Sequence, residues 1–271
     1  LLALGNALVT TISNLRFGPE VGIGKQKVDV PVVTTWLAEI RKMVSDLRQI
    51  QGQRWPSCAI HLADARNVQQ ILESCSVDAV ITSPPYPNEK DYTRTTRLES
   101  VLLGFIENKA QLRELKKRLV RSNTRSVYTA DRDDLWVENH PEIQRVAAEI
   151  EERRRALGKT SGFEKLYPRV TKLYFGGMAR HLAELRTVLR PGAQLAYVVG
   201  DQASYLQVMI RTGELLADIA DRLGYTVARI DLFRTRFATA TQTELREEVV
   251  VLQWPGQLSV EELVNYRSRP L

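Results

Sequence analysis

Between Ala193 and Trp254 the chain alternates apolar runs with an amphipathic stretch, and this alternation restricts the fold more than any other feature. "AQLAYVVGD" (Ala193–Asp201) reads as a strand, and Gly213–Leu223 reads as a helix closed by Gly224. "TVARIDLF" and "EEVVVLQW" (Glu247–Trp254) read as two more strands. Upstream, "CAIHLAD" (Cys58–Asp64) has the pattern of a short buried strand, Asn67–Ser74 of a short helix and "VDAVITS" of a second buried strand. Such a train buries its apolar faces in an open α/β sheet with helices packed on it.

The remaining periodicity is helical. Val33, Trp36, Leu37, Ile40, Met43, Val44, Leu47 and Ile50 form one stripe, which predicts an amphipathic helix over Val32–Gln51. Further helices are predicted over Arg97–Arg121, from Pro141 to Leu157 with Gly158 as terminator, and over Lys165–Leu189. "FGPEVGIGKQKVDVP" (Phe17–Pro31) reads as loop. The apolar opening "LLALGNALVT" lacks a basic leader and reads as a helix rather than a signal peptide. No apolar run reaches the roughly 20 residues that cross a bilayer. Cys58 and Cys75 are too few for a disulfide framework, which points to a reducing cytoplasm. A net charge of +6 and a pI near 9.4 favour a polyanionic partner.

One short stretch carries chemistry. In "DAVITSPPYPNEKDY" a strand ends against Ser83, Pro84, Pro85 and Tyr86. Ligands of open α/β sheets bind at the carboxyl ends of the strands. Each proline fixes φ and removes a backbone donor, so the turn is stiff and its carbonyls are left to accept. A hydroxyl, free carbonyls and a ring suit a flat molecule bearing an amino group: the acceptors take the amine hydrogens and the ring stacks on the base.

"TSPPY" resembles the catalytic motif of the amino-methyltransferases that modify DNA, in which Asp, Asn or Ser precedes Pro-Pro-Tyr/Phe. The resemblance extends to "HLADAR", "LAELRTVLRPGAQLAYVVGD", "GELLADIADRLGYTV" and "REEVVVLQW", and covers roughly Cys58–Leu98 and Lys172–Trp254. It implies a Rossmann-like α/β methyltransferase sheet with a final antiparallel strand, and S-adenosylmethionine as cofactor. Asp64 and Ala65 would meet the cofactor's adenine, and Ser83 would lie between cofactor and substrate. Ser83 and the Pro84 carbonyl would draw on the amine hydrogens, Pro85 would stiffen the turn, and Tyr86 would stack on a base that has left the double-stranded DNA. Serine at the first position is more typical of N4-cytosine enzymes, whereas Asp or Asn favours N6-adenine. The same fold acting on adenine or RNA, and a non-catalytic DNA-binding subunit of a modification complex, are the alternatives.

On this reading residues 1–56 form an N-terminal helical segment, and 57–98 with 170–256 the methyltransferase core. Residues 99–169 form a helical insertion and candidate target-recognition region, and 257–271 a C-terminal tail. Lys90, Tyr92 and Arg94 after the turn are candidate DNA contacts, with a structural salt bridge as the alternative. Asp201 is a candidate lining residue of the base pocket. Arg234 and Arg236, before the polar loop "TATQTE", are further DNA candidates. The basic residues of Lys109–Arg125 suit phosphates or a solvated helix face. His61, His140 and His181 carry no ligand pattern, and Asp131, Asp133 and Asp134 read as caps or solvated acids rather than a metal site. The family's glycine-rich cofactor loop has no counterpart beyond the weak "FGPEVGIG", with Gly18, Gly22 and Gly24. Together with Leu1 in place of Met, this leads to the expectation that the first strands and the glycine-rich half are encoded upstream or supplied by a partner chain.

Overall fold

The computed structural model describes residues 1–16, 21–88, 90–238 and 242–256. The chain divides into two compact units, Leu1–His61 with Lys90–Lys117, and Leu62–Glu89 with Arg118–Leu271. Gly18, the first half of the "TATQTE" loop and the 257–271 tail lie outside the described residues.

In the first unit, α1 (Leu2–Ala7) runs into a π-helical turn at Leu8–Ile12. Two short strands, β1 (Leu15–Arg16) and β2 (Gly22–Ile23), pair antiparallel, so Gly22 belongs to a strand rather than a loop. The long helix α2 (Val32–Gln49) forms where its periodicity predicts. Its one buried residue is Glu39, whose carboxylate accepts from Asn6 Nδ2 and Lys42 Nζ. The apolar stripe stays largely open, with Leu47 63% exposed. The helix expected over Arg97–Arg121 is broken. After α3 (Tyr92–Thr95), α4 (Arg97–Leu102) stops at Gly104, whose φ of +79° is left-handed. The Phe105 amide closes back onto the Ser100 carbonyl at 2.8 Å, a helix-terminating bond. Asn108 then caps α5 (Lys109–Lys117) by accepting from the amides of Ala110 and Gln111.

The second unit holds a four-stranded mixed sheet. β3 (Val77–Thr82) is parallel to β4 (Leu189–Gly200), while β5 (Thr226–Ala238) and β6 (Thr243–Gln253) complete the order β3-β4-β6-β5. β6 runs antiparallel to both of its neighbours, as the final antiparallel strand should. α6 (Pro141–Ala156) has Pro141 in its first turn and Gly158 just beyond its end at φ +62°, both as read from the sequence. α7 (Tyr167–Leu185) ends four residues earlier than expected: the amides of Thr187 and Val188 close back three residues onto the carbonyls of Glu184 and Leu185, and the Thr187 and Val188 carbonyls pair with the amides of Cys75, Ser76 and Val77. α8 (Thr212–Arg222) follows β4. Leu173, Phe175, Leu182, Leu195, Tyr197, Val199, Leu216, Val250 and Leu252 make the centre of the core.

The strand expected over Cys58–Asp64 does not form, and Ile60 is 93% exposed. Among the described residues no strand pairs with that segment, and an apolar run without a ladder partner has no means of satisfying its amides as a strand. β3 is likewise an edge rather than a buried strand, with Ile81 85% exposed and Asp78 paired to Arg190 at 2.6 Å. Among the described residues no helix is long and apolar enough to cross a membrane.

Close packing explains two adjacent glycines in α7. A Cβ on Gly176 would stand 1.8 Å from the Asp133 carbonyl oxygen, so the 3₁₀ turn Asp133–Val137 lies directly on the helix. Backbone cannot yield as a side chain can. Gly176→Ala should therefore destabilise the fold by about 3 kcal/mol, read as a lower urea midpoint. Gly162→Ala, with open space around the added methyl, should leave the midpoint in place. An unchanged midpoint at position 176 would mean that this turn does not rest on α7.

Candidate active site

The stiff corner sits where the sequence placed it. Thr82 ends β3, and Ser83 is exposed while Pro84, Pro85 and Tyr86 are half-buried. The loop behind the corner is tied to the end of β4. The Asn88 amide donates to the Tyr86 carbonyl at 2.8 Å, and Asn88 Nδ2 reaches Gln202 Oε1 at 3.4 Å. Gln202 Nε2 in turn donates to the Gly200 carbonyl at 3.3 Å.

Gly200 is the contact that matters most here. A Cβ at this position would stand 2.9 Å from Tyr86 Cε2 and 3.2 Å from Glu247 Cγ. The ring therefore occupies the space that a side chain would need, at the carboxyl end of a strand parallel to β3. Glu247 lies opposite Gly200 in the ladder and accepts from Arg234 Nε, with Arg236 Nε 3.8 Å away. Pairing with Glu247 raises the Arg234 pKa above its ordinary value. Glu247 was not singled out from sequence. Its only signal was a pair of acids, Glu247 and Glu248, opening an otherwise apolar strand.

Asp201 does not face open space. It is fully buried, and its Oδ2 accepts from Arg211 at 2.6 Å and Arg246 at 3.1 Å. The neighbouring Glu248 is pushed up by burial, partly countered by Arg246. Lys90, Tyr92 and Arg94 belong to the first compact unit, where Lys90 and Tyr92 are exposed and Arg94 is half-buried. Beside them Asp91 caps α3 and pairs with Lys116 at 2.7 Å. Among the basic residues of Lys109–Arg125, Lys117 pairs with Glu114 and the buried Arg121 with Asp131. Asp131 and Asp133 are thus ion-pair acceptors rather than caps or solvated acids.

Asp64 and Ala65 are held in a buried network. Asp64 Oδ1 accepts from the Arg66 amide and Nε, both at 2.9 Å, and Oδ2 accepts from Arg66 NH2 at 2.7 Å. Arg66 also binds Asp133, which Arg180 approaches at 3.4 Å. The Ala65 carbonyl lies 2.7 Å from His181 Nδ1, and His181 Nε2 lies 2.8 Å from the Tyr197 hydroxyl. Burial pushes His181 downward, consistent with a neutral ring that donates through Nδ1 and accepts from Tyr197. A carboxylate offers about four acceptor positions, and Asp64 spends three on Arg66, which leaves one on Oδ2 for an amine.

No protein-family profile matches the chain. The sequence is 32% identical over 167 residues to the Type II methyltransferase M.AvaI of Nostoc sp., covering 61% of this chain and 34% of that protein. It is 28% identical over 253 residues to the Type II methyltransferase M.BsoBI of Geobacillus stearothermophilus, covering 84% of this chain and 49% of that one. Over these spans the chain is similar to Type II methyltransferases. It spans between a third and a half of the length of these curated relatives. A putative DNA modification methylase from Thermus thermophilus, solved with S-adenosyl-L-methionine, superimposes with a TM-score of 0.36 at 15% identity, over 73% of this chain and 56% of that one.

Asp64 also ties the stability of this chain to pH. Burial raises its pKa, but the hydrogen bonds and charge of Arg66 outweigh burial and hold it below the ordinary value. A depressed folded pKa contributes stability that is complete above the unfolded value of about 3.9 and is lost as pH falls through the folded value. Asp64→Asn should flatten the acid limb of a pH series of urea midpoints. An acid limb as steep as that of the parent would assign the loss to other carboxylates.

Proposed function

We propose that this chain carries the catalytic corner of a DNA methyltransferase that uses S-adenosylmethionine and acts on N4 of cytosine. The observation that carries the reading is the Ser83-Pro84-Pro85-Tyr86 turn at the carboxyl end of β3, with the Tyr86 ring laid against Gly200 at the carboxyl end of parallel β4. The names of the related proteins support a methyltransferase activity of the restriction–modification kind.

Ser83 Oγ and the Pro84 carbonyl accept the two hydrogens of the exocyclic amine. Drawing on both hydrogens pulls the amine nitrogen toward a pyramidal, more nucleophilic form, so positioning and electrostatics supply the rate. Tyr86 stacks on a base that has left the duplex, and Pro84 and Pro85 keep the acceptors from relaxing away. Asp64 fits the adenine end of the cofactor because one acceptor position remains on Oδ2 after Arg66 is satisfied. When bound, the cofactor supplies an electrophilic methyl group. The serine favours cytosine on the strength of the family resemblance.

Labelled methyl transfer to DNA, followed by mass spectrometry of the nucleosides, tests this function. The product should be N4-methylcytosine. Ser83→Ala should lower the rate by roughly 10²-fold, the scale of one removed polarising group. Tyr86→Ala should weaken base binding by about 1–3 kcal/mol. Label appearing in N6-methyladenine would refute the cytosine assignment, and full activity in Ser83→Ala would refute the catalytic one.

A further inference from the structure

Across the carboxyl end of the sheet, Gly200, Glu247 and Arg234 stand side by side on β4, β6 and β5. Residues opposite one another in a ladder project to the same face. The missing side chain at Gly200 is replaced by the Tyr86 ring, so one row runs from aromatic ring to carboxylate to guanidinium. The Glu247 side chain is only 9% exposed, whereas that of Arg234 is 66% exposed. Arg234 is held through Nε, and among the described residues its two terminal nitrogens make no hydrogen bond. A buried acid thus fixes the inner edge of the fork and leaves the outer edge presented beside the ring.

We propose that Arg234, positioned by Glu247, is a base-reading residue that selects cytosine. This rests on the reading of Tyr86 as the stacking ring. With the amine drawn toward Ser83 and Pro84, the adjoining edge of cytosine offers two neighbouring acceptors, N3 and O2. Adenine offers N1 alone at the corresponding place. Two parallel donors from one planar fork match two adjacent acceptors, as Arg matches the paired acceptors of guanine. A lysine offers a point charge and no fork. Glu247 is a positioning residue: it acts on the base only through the orientation of Arg234.

The test is fluorescence anisotropy of the whole chain with single-stranded oligo(dC) and oligo(dA) of equal length at one salt concentration. The parent should bind oligo(dC) more tightly by roughly tenfold, the scale of one bidentate base contact. Arg234→Lys and Glu247→Gln should both bring that ratio close to one. Lysine keeps the charge, so a mere phosphate contact would leave the ratio where it was. Glu247→Asp, which retains a carboxylate, should restore part of the preference, a rescue that a purely structural role would not produce. Tyr86→Ala should weaken both oligonucleotides. If the parent prefers oligo(dC) and Arg234→Lys retains that preference, the proposal is overturned while the base pocket stands. If Tyr86→Ala binds both strands as the parent does, or the parent binds neither, the underlying pocket reading falls together with the proposal.

Discussion

The contact between the Tyr86 ring and the bare backbone of Gly200 governs the geometry of the candidate site. β3 and β4 are parallel neighbours, so their carboxyl ends emerge at the same edge of the sheet. Any side chain at the end of β4 would compete for the volume that the ring fills. With hydrogen there instead, the Cε2–Cδ2 edge of the ring can come close against the strand end. The same vacancy admits the Glu247 methylene from the other side, which brings the acid and its arginine into line with the ring. One absent methyl group therefore lets Tyr86 and Glu247 both approach the end of β4.

A second constraint lies deeper. Arg66 is buried and joins Asp64 to Asp133, residues far apart in the chain, while Arg180 on α7 reaches Asp133 and Asn67. Removing one member of a buried ion network leaves an uncompensated charge, which typically costs about 3–5 kcal/mol. The network thus holds the turn at Asp133 on α7 and orients the acid that the family resemblance assigns to the cofactor. Asp201, just past the end of β4, is likewise held by arginines: its partners Arg211 and Arg246 pin the start of α8 to β6.

Much of this was legible in the order of residue types. The strand–helix–strand train, the antiparallel last strand, α2 and the two ends of α6 all follow from apolar spacing and from Pro141 and Gly158, because those signals act over one or two turns. The break between α4 and α5 was also present as Gly104 and Asn108, but the apolar spacing of Leu98, Val101, Leu102 and Phe105 masked it. The failure at Cys58–Asp64 has a different origin. A strand exists only with a neighbour to share its hydrogen bonds, and apolar character says nothing about whether that neighbour is there.

The sequence by itself determined the α/β class and the stiff Ser-Pro-Pro-Tyr corner after a strand, because proline geometry and hydrophobic period are local properties. It also pointed to a base-modifying chemistry, through residues adjacent in the chain. Only the tertiary structure decided which side chains share that corner. Ladder register aligned Gly200, Glu247 and Arg234, and pairing across 67 residues joined Arg66 to Asp133. Register and burial are set by the competition of whole faces for the core, and no single stretch of residues records its outcome.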